Sequence, residues 1–208
     1  MNISKFLLID AVLIIAAIPL LLLLTGGNKK NSFMRSSSKE KLLRESPYKL
    51  PDKEKLIELE KLAKNQGSGI ESDSIIGNWK FISIWKKDID EEDPIFSSLL
   101  RVFSAKIEFK KDLLTKNSTE LSVIASIQFG LFSIGFSGTG YLKGKQPLLP
   151  FCLNLIELKA GSNILLRRSL KEPEDKEKSF FAMIALEEND ELLSARAQGG
   201  EVVIWLKD

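Results

Sequence analysis

Arg196 is the side chain best placed by its sequence neighbours to recognise something. It opens Arg196-Ala197-Gln198-Gly199-Gly200, a guanidinium fork followed by a tight glycine turn. Such a group can hold a ligand's acidic headgroup, or pair with a carboxylate at one end of a domain. Little else in the chain suggests chemistry. There is no His and one Cys. That excludes Ser/His/Asp and Cys/His catalysis, His-ligated zinc and His-ligated haem. Cys152 sits in Phe151-Cys152-Leu153, which reads as a buried thiol in a reducing compartment. A carboxylate pair could still do acid/base work. The acidic residues, however, gather in Asp88-Ile89-Asp90-Glu91-Glu92-Asp93 and Glu172-Pro173-Glu174-Asp175, which read as solvated turns without EF-hand spacing. The expectation is no catalytic residue, no metal, no cofactor and no enzyme. Gly135, Gly138 and Gly140 lack the Lys-Ser/Thr of a phosphate loop and read as bends in a coiled strand.

The second candidate set is aromatic. Ten Phe lie between Phe81 and Phe181, and Phe109, Phe129, Phe136 and Phe151 fall on the apolar side of alternating segments. With Arg196 they form the candidate ligand-binding lining. Each one can equally be ordinary core.

Strands must position these residues. From Gly77 onward the apolar period is two. Trp79, Phe81 and Trp85 are expected on one face of the first strand, with Lys80, Ile82 and Ile84 on the other. Ala105 to Phe109, Leu121 to Phe129 and Ile134 to Phe136 alternate in the same way, with Ile134, Phe136, Gly138 and Gly140 on one face. Further strands are expected near 151–159, 163–170, 179–186, 191–197 and 201–207, separated by turns such as Lys143-Gly144-Lys145 and Gly199-Gly200. About nine short strands with tight turns make an antiparallel meander, and closing it into a β-barrel removes its edges. Asn117-Ser118-Thr119 matches a glycosylation sequon but reads as a turn.

One helix is expected before the strands, about Asp52 to Gln66. Leu56, Leu59, Leu62 and Ala63 recur at helical spacing, its charged back is solvated, and its stripe docks on the domain. Upstream, Phe6 to Leu24 is apolar except for Asp10. A helix of that length spans roughly 28 Å, close to a bilayer core. Residues 25–69 hold 11 Lys/Arg against 6 Asp/Glu in a chain that is +2 overall. The basic balance belongs to the segment after the apolar run, leaving residues 70–208 acidic. This pattern predicts a transmembrane anchor at 1–24, a basic juxtamembrane linker at 25–51, and a helix plus β-barrel at 52–208; the rival reading of 1–24 is a cleaved signal peptide led by Lys5, against which Leu22-Leu23-Leu24-Thr25-Gly26-Gly27 is a poor cleavage site. The pattern also places the C-terminal domain on the cytoplasmic or stromal face. A basic tail attracts anionic lipid, and an acidic folded domain argues against nucleic acid as a partner.

Ile75-Ile76-Gly77-Asn78-Trp79-Lys80-Phe81 resembles the Gly-x-Trp opening of plastid-lipid-associated proteins, the fibrillins, and of the wider lipocalin-like barrels. Arg196, Gly199 and Gly200 are similar to the fibrillins' closing Arg-Gly-Asp-Gly-Gly, while Ala197 and Gln198 depart from it. Gly77, Trp79, Arg196, Gly199 and Gly200 therefore carry the resemblance, which covers about residues 53–208. It implies a lipocalin-like barrel of cyanobacterial or plastid type. Trp79, by the burial habits of Trp, is expected to seal one end of it. The resemblance further implies work at a thylakoid, plasma-membrane or lipid-globule surface on prenylquinones, carotenoids or lipid.

Two functions follow. One is a single-pass membrane protein whose barrel binds a lipophilic small molecule or organises membrane lipid. The other is a filled barrel that binds another membrane protein as a scaffold or assembly factor. The barrel interior discriminates between them: an apolar cavity supports the first, packed side chains the second.

Overall fold

The computed structural model describes residues 49–208, except 88–89, 112–119, 146, 173, 175–177 and 188–190. The anchor, most of the linker and the sequon therefore lie outside the described residues. Among those described, no helix is long and apolar enough to cross a membrane.

Nine antiparallel strands follow helix α1 (Lys53–Gln66): β1 (Gly77–Trp85), β2 (Lys106–Lys111), β3 (Glu120–Phe129), β4 (Phe132–Tyr141), β5 (Leu148–Ala160), β6 (Asn163–Ser169), β7 (Ser179–Glu187), β8 (Leu192–Ala197) and β9 (Val202–Lys207). A second helix, α2 (Pro94–Val102), lies between β1 and β2. The strands run in the order β4-β3-β2-β1-β9-β8-β7-β5-β6, and β4 also pairs with β5. That last pairing closes a ring of all the strands except β6. The long β5 makes this possible. Leu148 to Phe151 pairs with β7 inside the ring, whereas Leu155 to Ala160 pairs with β6, which hangs outside it.

Two apolar clusters divide the molecule. The larger fills the barrel and includes Trp79, Phe109, Val123, Leu149, Met183, Leu193 and Trp205. The smaller lies outside the wall of β1, β7, β8 and β9, where Leu56 of α1 meets Ile82, Trp85, Ile184, Leu192 and Ile204. The expected docking of α1 on the domain is what covers this wall. Asp52 occupies its N-cap position without a side-chain hydrogen bond, and Gly67 N–H donates to Ala63 O at its end. The stripe is not the one expected: Glu60 is buried, whereas Leu62 is 44% exposed.

The alternation of β1 also departs from expectation. Its register with β9 shifts between Phe81 and Ser83. A bulge inserts one residue, and every later side chain changes face. Trp79, Phe81 and Ile84 therefore serve the interior cluster, whereas Ile82 and Trp85 serve the outer one. The bulge is fastened from α2, since Arg101 donates to Ile82 O at 2.6 Å.

Helix α2 was not expected. Its start is strongly specified: the Asp93 carboxylate accepts from Ile95 N–H and Phe96 N–H, both at 3.1 Å, and Pro94 stands in the first turn. It covers the barrel end where β1 finishes and β2 begins, burying Leu99, Leu100 and, just beyond it, Phe103. The acidic run that read as a solvated turn thus includes a buried cap. The opposite end is sealed by Ile70, Ile75 and Trp79.

Candidate functional site

The sequence-predicted residues do not converge on one place. Phe109, Phe136 and Phe151 lie in the barrel interior, exposed by 1%, 8% and 4% respectively. Phe129 sits on the rim and is 49% exposed. Arg196 is on the outer face: its neighbours Ala195 and Ala197 point inward, and it alternates with them.

The interior is a run of touching aromatic rings. Phe151 stacks on Phe181 with centroids 5.1 Å apart, and Phe181 meets Trp205 edge-on at 5.2 Å. Phe81 also meets Trp205, tilted, at 5.2 Å. Trp79 is fully buried. Its indole N–H donates to Ile75 O at 2.7 Å, and the Lys207 ammonium lies 5.6 Å from the ring centre. The indole N–H of Trp205 is buried and has no hydrogen-bond partner among the described residues.

Arg196 has three anchors. Its Nε and Nη2 donate to the two Glu60 carboxylate oxygens at 2.7 and 2.6 Å, a bidentate pair reaching from β8 to α1. Nη2 also reaches Asp90 Oδ1 at 3.1 Å, and Nη1 donates to Gly200 O at 2.6 Å. Gly200 holds a φ of +105°, a conformation that L side chains rarely adopt. The Arg-Gly-Gly part of the family-like motif is therefore a corner that fastens the β8–β9 turn, the loop after β1 and the first helix together. Burial works to raise the Glu60 carboxyl, but the Arg196 and Lys64 hydrogen bonds and charges outweigh it and hold the group below its ordinary value. The same Glu60 contact raises the guanidinium, against the opposing effect of burial. Gly77 opens β1 opposite Phe109, distant in sequence from this corner. Cys152 is buried and unpaired, and burial raises its thiol.

Sequence reasoning missed Glu60 and Asp90 as the partners of Arg196. A helix-borne Glu on an apolar stripe was the available signal. It also missed an apolar lip at the α2 end of the barrel. Leu131 in the β3–β4 turn is 78% exposed, and Phe132 beside it 53%. On β6, Ile164, Leu165 and Leu166 are each about half exposed, and three consecutive apolar residues in one strand were the clue. The two parts adjoin. Gly161 N–H donates to Leu131 O at 2.7 Å, and Phe132 is opposite Ala160, which is opposite Asn163. Phe103, at the end of α2, meets Phe129 with centroids 5.6 Å apart. Among the described residues no group of three or more His, Cys, Asp or Glu could hold a metal ion.

These features define a mainly antiparallel β-barrel with an aromatic interior, a charged corner outside it and an apolar lip at one end. No family model matches the chain, and no curated protein does. Among solved structures, a redesigned β-barrel, mFAP1, bound to DFHBI is similar over 66% of this chain and 97% of that one. The identity is 11% and the TM-score 0.30.

Proposed function

We propose that this chain is a membrane-tethered, lipocalin-like barrel that works through its outer surface, organising lipid at a bilayer without enclosing a ligand along its axis. The observation that carries the reading is the aromatic run Phe151, Phe181, Trp205 and Phe81 across the interior. A ligand on the axis would have to displace these rings. Each large apolar side chain contributes about 1.5–3 kcal/mol by its burial, and each ring pair about 0.5–1.5 kcal/mol more. Displacing several would cost much of the stability of an ordinary domain. Arg196, the candidate headgroup contact, already has two carboxylates. The apolar run Phe6–Leu24 and the basic residues after it support the tether, and the fibrillin resemblance supports a thylakoid or lipid-globule surface.

A second reading keeps the same architecture and makes the barrel a scaffold for another membrane protein. It is favoured by β6, which pairs only with β5 among the described strands and leaves an edge available for strand addition.

Two measurements test the proposal. Carbonate-washed membranes should retain the full chain; release into the supernatant removes the tether. Native mass spectrometry of the detergent-purified full chain should show only loosely held lipid. A prenylquinone or carotenoid retained at one per chain would overturn the closed-interior reading.

A further inference from the structure

We infer that the apolar lip at the α2 end of the barrel rests in the headgroup layer of an anionic bilayer; this builds on the tethered reading above and assigns the face that meets lipid. Among the described residues Leu131 is the most exposed large apolar side chain, at 78%. It tips a two-residue turn whose flanking Phe129 and Phe132 are paired and both about half exposed. Ile164, Leu165 and Leu166 extend this surface onto β6. A contiguous apolar surface of this kind marks an interaction site more often than chance exposure does.

Charge selects a membrane as the occupant. Lys159, Arg167 and Arg168 border the lip on β5 and β6, and Glu157 is the acid among them, within 3.1 Å of Lys159 and 3.4 Å of Arg167. Three cations against one carboxylate complement anionic headgroups, in a domain whose overall balance is acidic. At the end opposite α2, Asp73 pairs with Lys111, and Asp208 with Lys106 and Lys80.

The test uses the full chain reconstituted in phosphatidylcholine vesicles with and without phosphatidylglycerol. Leu131→Cys and, at the far end, Glu71→Cys each carry an environment-sensitive fluorophore; native Cys152 is 5% exposed and labels poorly. Both sites are on the surface, so a melt identical to wild type confirms folding. The expected result is a blue-shifted Leu131→Cys probe quenched by nitroxide lipid. The Glu71→Cys probe should stay in water, and adding Arg167→Glu and Arg168→Glu should weaken the quenching in anionic vesicles. A membrane-bound chain whose position-131 probe is unquenched overturns the inference. So does a blue shift that follows protein density and ignores nitroxide lipid, which would assign the lip to a second copy. A chain that fails to stay with the vesicles refutes the tether itself, a separate outcome.

Discussion

At the scale of single residues, Arg196 shows how a side chain can be legible in identity and not in role. Its glycine turn marked it as special, and both a headgroup contact and a carboxylate pair suited that turn. The deciding partner, Glu60, is 136 residues away in sequence. Its place on the apolar stripe of α1 hinted at burial, but no local pattern names its partner. Because the pair is nearly enclosed, removing one member strands the other. Glu60→Gln and Arg196→Gln should each cost about 1–3 kcal/mol, and the double variant should cost less than the sum. Acid separates this from simple packing. The Glu60 carboxyl is held below its ordinary value of 4.5 when folded. Its contribution is therefore complete above that pH and fades as pH falls through the folded value. Urea melts of wild type and Glu60→Gln should converge below about pH 4.5. A gap that is constant with pH would show that the charge contributes nothing. The two buried tryptophans offer a second contrast. Trp79→Phe loses a hydrogen bond to Ile75 O, whereas Trp205→Phe removes a donor with no partner. Both lose similar volume. Thermal melts should find Trp79→Phe the worse by about 1 kcal/mol, and a reversed order would mean that the Trp205 N–H is satisfied in solution.

At the scale of elements, period-two alternation located β1 to β9 within a few residues, because half-buried strands must alternate. It failed where the backbone itself breaks step. A bulge leaves no mark in apolar content, so the expected common face of Trp79 and Trp85 could not survive the shift after Phe81. Helix α2 escaped for a related reason. At nine residues it is about two and a half turns long, too short for a helical stripe to emerge beside strands of equal apolarity, although Asp93-Pro94 was a readable start. Strand β4 gives the sharpest element-level prediction. Its face containing Ile134, Phe136, Gly138 and Gly140 was expected to point inward, and Phe136 is indeed in the interior cluster. Gly138 lies where β5 bulges, its partner register shifting from Leu155 to Leu153. The bulge brings the β5 backbone over the Gly138 Cα, and a methyl group there would collide with the Cys152 carbonyl. Gly135 has open space at the same atom. Gly138→Ala should therefore destabilise by at least about 1–3 kcal/mol, the usual cost of overpacking. Gly135→Ala should fall within about 0.5 kcal/mol of wild type. Equal melting temperatures would mean that β5 can relax away from β4.

At the scale of the molecule, closure of the ring removes most sheet edges but leaves an apolar wall facing outward over β1, β7, β8 and β9. A barrel whose inside is full has no room to turn these residues inward. Helix α1 therefore acts as a fixed cover. It supplies Leu56 and Ala63, exposed by 3% and 1%, and the carboxylate that receives Arg196. Burial of Leu56 alone is worth about 1.5–3 kcal/mol. Withdrawing Glu60 leaves a half-buried guanidinium with Asp90 as its remaining carboxylate, at about 1–3 kcal/mol. Together these come to about 2.5–6 kcal/mol, a large share of the net stability of an ordinary domain, about 5–15 kcal/mol. Two truncations should consequently behave very differently. Residues 49–208 should express as a folded domain with one cooperative thermal transition. Residues 67–208 retain every strand but should bind a hydrophobic dye, melt broadly and aggregate, because the wall of Ile82, Trp85, Ile184 and Ile204 becomes solvent-facing. If the shorter fragment melts as sharply and as high as the longer one, α1 is a passenger on the barrel, and its ion pair with Arg196 adds no net stability.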